Sequence, residues 1–140
     1  MNTTYDRNHI GDRPLTSKGE IYKENILDHY REPHHFGEMS NADLKHREFN
    51  PLCGDEITIY LKIEKNKVSD ISFSGHGCAI SQAAMSMLTD MVKGKSIHTI
   101  EQLQKEDILK MLGIPVGIVR MKCALLGLKT LHKCLAQIST

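Results

Sequence analysis

Midway along the chain the apolar periodicity changes, and that change limits the folds open to it. Ile57, Ile59, Leu61 and Ile63 alternate with Thr58, Tyr60 and Lys62, the period-two pattern of a strand with one buried face. Lys65-Asn66-Lys67 supplies a turn, with Asn66 suited to the left-handed region. Val68, Ile71 and Phe73 open a second strand, so the pair reads as a hairpin. Gly75-His76-Gly77 ends it. From Cys78 onward the period is helical, carried by Ile80, Ala83, Ala84, Met87, Leu88, Met91 and Val92, with Gly94 as the stop. A hairpin with one apolar face, feeding straight into an amphipathic helix, buries both by laying helix on sheet.

The flanking segments extend that plan. Ser17 is placed to cap a helix beginning near Gly19, with Glu20 in its first turn. Ile21, Tyr22, Ile26, Leu27 and Tyr30 recur at helical spacing, both tyrosines as packing residues. Glu32-Pro33 stops this helix, because the residue before proline avoids helical angles, and a turn runs to Gly37. Leu44–Phe49 offers a third strand. Residues 96–112 hold shorter helical pieces. Met121, Ala124, Leu125, Leu128, Leu131, Leu135 and Ile138 form the stripe of a final helix. The expected fold is α/β of the two-layer α+β kind: a small antiparallel three-stranded sheet with helices packed on one face. A length of 140 residues suits one domain, expected over residues 19–140, with polar residues 1–18 as a flexible leader.

Charge narrows the function. The formal net charge is +1, without the basic excess that nucleic-acid binding wants. No apolar run reaches the roughly 20 residues of a membrane span, and the first residues lack the apolar core of a secretory signal. A cytoplasmic protein without nucleic-acid or membrane partners is expected. In that reducing compartment four cysteines are read as ligands, nucleophiles or buried apolar groups rather than disulfides. Their spacings are wide and include no C-x-x-C knuckle, so any metal site must be assembled by the tertiary fold.

Three stretches stand out: N-P-L-C-G-D at 50–55, G-H-G-C-A-I-S at 75–81 and R-M-K-C-A at 120–124. Gly54 permits a turn that aims Cys53 and Asp55 at one point. Cys78 sits at the strand-to-helix junction and Cys123 near the start of the last helix, where helix dipoles favour thiolate. Gly75 and Gly77 leave room for the backbone to approach a large, soft object. Cys134 lies about 16 Å from Cys123 along an unbroken helix, beyond reach of one ion with ~2.3 Å thiolate bonds, and is assigned to packing. Three thiolates and a carboxylate suit zinc or the iron of an iron–sulfur cluster; calcium and magnesium want oxygen. A carboxylate in place of a fourth thiolate makes a held cluster easier to give up. His76 is read as a solvated loop residue, His34 and His35 as facing water, and Met85, Met87 and Met91 as helix-core positions.

In order and spacing these three motifs resemble those of the IscU/NifU-type iron–sulfur cluster assembly scaffolds. The opening helix I-Y-K-E-N-I-L-D-H-Y-R-E-P is similar to that family's N-terminus, and the resemblance covers about residues 20–138. It implies a compact SufE/NifU-like domain. It also implies a scaffold that receives sulfur from a cysteine desulfurase (SufS- or IscS-like). The scaffold would build or relay a cluster at Cys53, Asp55, Cys78 and Cys123 and pass it to recipient apoproteins. Weak self-association, with Tyr22 as a contact, is implied too. Two departures point within the family. Lys122 stands where IscU proper has a histidine, and Val116–Arg120 does not match the segment that a dedicated Hsp70-type chaperone reads. Arg120 and Lys122 resemble the SufU branch, whose R-x-K-C motif accompanies zinc held by three Cys and one Asp, although this chain lacks the SufU insertion between the second and third cysteines.

Two activities therefore stand side by side. One is a non-enzymatic scaffold carrying a [2Fe-2S] cluster. The other is a zinc-dependent sulfurtransferase accepting persulfide sulfur from SufS on Cys123, whose thiolate Arg120 and Lys122 are expected to favour. Zn2+ and the cluster would occupy the same site.

Overall fold

The structure is a computed structural model and describes residues 17–138. The proposed leader lies outside them, except that α1 already begins at Ser17, two residues before the expected start. The order is α1 (Ser17–Arg31), β1 (Leu44–Asn50), β2 (Asp55–Glu64), β3 (Lys67–His76), α2 (Ala79–Val92), α3 (Ile97–Glu101), α4 (Lys105–Leu112) and α5 (Ile118–Ala136). The three strands form one antiparallel sheet in the order β1-β2-β3. Lys65 and Asn66, with φ of 53° and 63°, make the two-residue hairpin turn whose twist matches its strands.

Register puts the apolar residues of β2 and β3 on one face: Ile57 opposite Gly75, Ile59 opposite Phe73, Leu61 opposite Ile71. All five apolar members are buried. On this face α5 crosses β1 and β2 while α2 lies along β3, and the two helices pack together. They approach closely at Gly127, where a Cβ would stand 2.9 Å from Met85 Sδ. Helix α1 packs on α2, and α4 on α5 and α2. Met85 and Met87 are core residues and Met91 is half-buried against them, as expected. Cys134 has no exposed surface, and burial pushes its thiol up to about 12. Among the described residues no helix is long and apolar enough to cross a membrane.

Several expected positions differ. The outer sheet face is not simply polar and wet: Thr58 and Tyr60 are buried. Lys45 reaches over the Tyr60 ring, and Arg47 makes two hydrogen bonds to Glu56 across the sheet. Long charged side chains cover apolar surface with their stems in this way. On α1, Ile21 and Tyr30 are exposed, while Lys23 and His29 take buried places. The Lys23 ammonium is met by Glu20 at 3.1 Å, so a lysine stem fills a position that apolar counting gives to isoleucine. Tyr22 packs as expected, its ring lying over Gly113. On α5, Met121 and Leu125 are only half-buried, and Ile138 is exposed beyond the helix end.

Candidate metal centre

The three motifs meet at one rim of the sheet. Loop 51–54 connects β1 to β2 and is shaped by Asn50. Its carbonyl accepts from the Cys53 and Gly54 N–H groups (3.3 and 2.8 Å), and its Oδ1 accepts from Leu52 N–H at 3.1 Å. Cys53 rides exposed on this loop. Asp55, the first residue of β2, is fully buried. Its Oδ1 accepts the Cys78 backbone N–H at 2.8 Å, so the carboxylate joins the sheet to the start of α2. Cys78 is the residue capping α2, and its Sγ stands 3.9 Å from Asp55 Oδ2. Cys123 is buried on the second turn of α5, with Sγ 3.3 Å from Cys53 Sγ.

One ligand atom each from Cys53, Asp55 and Cys123 lies within 4.8 Å of the other two. Cys78 stands beside that trio through its contact with the Asp55 carboxylate. The fold thus brings together all four residues singled out from the sequence. It also shows what the paired glycines are for. A Cβ on Gly75 would fall 2.0 Å from Glu56 O, and one on Gly77 would fall 2.3 Å from Asp55 Oδ1. The room expected for a soft cofactor is therefore taken up by β2 and the Asp55 carboxylate. The glycines let the chain close down on the one acidic ligand candidate.

Burial and acidic neighbours dominate the electrostatics of Cys123. Without a cation the Cys123 thiol is held well above its usual range. Burial is the largest cause, followed by hydrogen bonds with Asp55 and Cys53 and the nearby negative charge of Cys78 and Asp55. Arg120 and Lys122 are exposed and do not offset this. Cys123 also lies past the first turn of α5, where the helix dipole has faded. A thiophilic cation reverses the balance: it deprotonates thiols as it binds, so uptake releases protons. The set of three sulfurs and one carboxylate oxygen fits zinc or iron on softness.

His76 is exposed to solvent, as expected, with Glu56 3.5 Å away, but it is the last residue of β3 and pairs with Glu56 rather than lying in a loop. His34 and His35 are not simply turned to water: they bond to Asp90 and Thr89 of α2. Sequence reasoning also passed over the apolar surface beside the site. Leu52, Ile118 and Val119 are 78%, 88% and 76% exposed. A cleft of about 370 Å³ runs between Phe49, Leu52, Leu125 and Lys129.

The chain is similar to several known proteins. Residues 21–139 match the family described as NifU-like N terminal domain. The iron–sulfur cluster assembly scaffold protein IscU 1 of Archaeoglobus fulgidus is 33% identical over 117 residues, 82% of this chain and 74% of that protein. The zinc-dependent sulfurtransferase SufU of Bacillus subtilis is 33% identical over 134 residues, 84% of this chain and 90% of that protein. Among solved structures, a putative SUF-system scaffold from Fervidobacterium islandicum superposes with a TM-score of 0.69 at 29% identity, covering 80% of this chain and 94% of that one. The chain belongs to the NifU-like N-terminal domain family.

Proposed function

We propose that this protein is an iron–sulfur cluster assembly scaffold, with Cys53, Asp55, Cys78 and Cys123 as the ligand set. The observation that carries the reading is the convergence of these residues at one rim, with Asp55 as the buried hub and Cys53 exposed. A cluster here is cargo. Three thiolates bind it, and the harder carboxylate is the weak point from which a recipient apoprotein draws it away. The exposed apolar rim of Leu52, Ile118 and Val119 gives a cysteine desulfurase or a recipient a surface to dock on.

The chain's own residues divide the work. Asp55 is held by the Cys78 N–H. Cys53 sits on a short loop and is the thiol that an incoming persulfide meets first. Cys123 lies directly beneath it. Anaerobic purification followed by iron, sulfide and zinc analysis tests the proposal. Reconstitution with a desulfurase, cysteine and ferrous iron should yield a [2Fe-2S] chromophore that Cys78→Ser or Cys123→Ser abolishes. A protein that stays colourless and zinc-loaded throughout counts against a scaffold.

The R-M-K-C motif and the SufU relative favour a second reading, zinc-dependent sulfur transfer. In it a thiolate attacks the outer sulfur of the desulfurase persulfide, and the desulfurase cysteine leaves as thiolate. Cys123 is the expected final acceptor. Its burial under Cys53 suits a relay in which Cys53 takes the sulfur and Cys123 attacks it in turn. Persulfide mapping of Cys53→Ser and Cys123→Ser separates the routes. Cys53→Ser should abolish transfer under the relay and spare it under direct attack by Cys123.

A further inference from the structure

At the far end of α2 a second group of metal-ligating side chains comes together, and the cluster chemistry does not use it. His29 lies in the last turn of α1. Pro33 ends the helix, and the chain doubles back through His34 and His35. This turn is held firmly: His35 O accepts Phe73 N–H at 3.0 Å, and Gly37 N–H donates to Phe73 O at 2.7 Å. His35 adopts a φ of 57°, uncommon for a residue with a side chain. Both histidines of the turn are thereby brought onto α2. One ligand atom each from His29, His34 and Asp90 lies within 4.8 Å of the others. His34 Nδ1 is 2.6 Å from Asp90 Oδ2, and His35 Nδ1 is 3.7 Å from the other Asp90 oxygen.

We propose that His29, His34 and Asp90, with His35 alongside, form a second divalent-cation site of nitrogen and oxygen donors. Imidazoles and a carboxylate suit borderline ions such as zinc, cobalt or ferrous iron. Tetrahedral bonds of about 2.0–2.2 Å place ligand atoms about 3.3 Å apart, within a small adjustment of the observed group. The supporting contacts are those of a built site. Ser86 Oγ lies 2.7 Å from His29 Nδ1 and accepts the His34 backbone N–H at 2.7 Å. Thr89 Oγ1 meets His35 Nδ1 at 3.2 Å. Ser86, Thr89 and Asp90 share one face of α2, and outer contacts of this kind fix ring orientation before an ion arrives. Asp90 is twelve residues beyond Cys78, about 18 Å along the helix axis. The two sites therefore cannot share an ion and differ in donor softness.

Cobalt(II) titration of a Cys53→Ser/Cys78→Ser/Cys123→Ser variant is the test, since it leaves the histidine group as the principal site. The expected result is about one bound equivalent, with the weak d–d bands of nitrogen and oxygen ligation and no sulfur-to-cobalt charge transfer. Adding His34→Ala and Asp90→Asn should weaken binding by at least about tenfold. Both positions are partly exposed, so the fold should persist, and far-ultraviolet circular dichroism checks it. A folded triple variant that binds no cobalt overturns the proposal. Binding undiminished by the two added substitutions overturns it as well.

Discussion

Replacing Gly77 with alanine should damage the metal centre without replacing any ligand. The new Cβ would stand 2.3 Å from Asp55 Oδ1 and 2.9 Å from Ser81 Oγ, so the carboxylate and the 77–78 backbone must separate by roughly 1 Å to reach ordinary contact. That movement breaks the 2.8 Å bond from Cys78 N–H to Asp55. A hydrogen bond to a charged group is worth about 1.5–3 kcal/mol. Holding alanine in the backbone conformation of Gly77, φ 154°, adds about 1–3 kcal/mol. The sum is about 2.5–6 kcal/mol, measurable by urea denaturation of the metal-free protein. A double-mutant cycle with Asp55→Ala isolates the shared part. Once the carboxylate is gone Gly77→Ala should cost only the backbone strain and the contact with Ser81 Oγ, leaving a coupling of about 2 kcal/mol. Equal costs for Gly77→Ala in both backgrounds would refute the claim that this glycine exists to admit the carboxylate.

Other outcomes follow from the packing and the charges. Gly127→Leu should destabilise by about 1–3 kcal/mol or more, because α5 has no room for a side chain against Met85; thermal melts read this directly. Cys134→Ala should lower stability modestly and leave zinc stoichiometry unchanged, since its thiol is core and not ligand. Glu48→Gln probes the tie between β1 and α5. Its carboxyl is lowered from 4.5 first by His46, then by Lys133 and Lys129. A depressed carboxyl stabilises above its unfolded value and loses that contribution as pH falls through the folded one. The stability gap between variant and parent, read by denaturation at each pH, should therefore be present at neutral pH, at most about 1 kcal/mol after solvent screening, and should close as the pH falls below 4.5 and through the lowered folded value.

Much of this architecture can be read from the residues. The alternation from Ile57 to Ile63 and the helical run after Cys78 both appear where the period changes, because a buried face enforces its spacing regardless of context. The four candidate ligands are legible for a related reason: Cys53 and Asp55 about one glycine, Cys78 after another and Cys123 in R-M-K-C-A leave a pattern in order and spacing. Other features depend on neighbours in space. Lys23 takes a buried place through its stem and its contact with Glu20, which no hydropathy scale registers. Tyr60 is covered by Lys45 from the adjacent strand. The high proton affinity of Cys123 arises from burial beneath Cys53 and contact with Asp55, groups some seventy residues away, whereas the nearby Arg120 and Lys122 suggested the opposite. The histidine group escaped notice because His34 and His35 follow a proline in a turn, and only the tertiary fold brings Asp90 to them.

X-ray absorption at the zinc edge, on protein loaded with one equivalent of zinc, measures the proposed coordination sphere itself. Three sulfur scatterers at about 2.3 Å and one oxygen at about 2.0–2.2 Å are expected, with one sulfur lost in each of Cys53→Ser, Cys78→Ser and Cys123→Ser and none in Cys134→Ala. A first shell with fewer than three sulfurs in the parent protein, or one unchanged by Cys78→Ser, would contradict a single site built from Cys53, Asp55, Cys78 and Cys123.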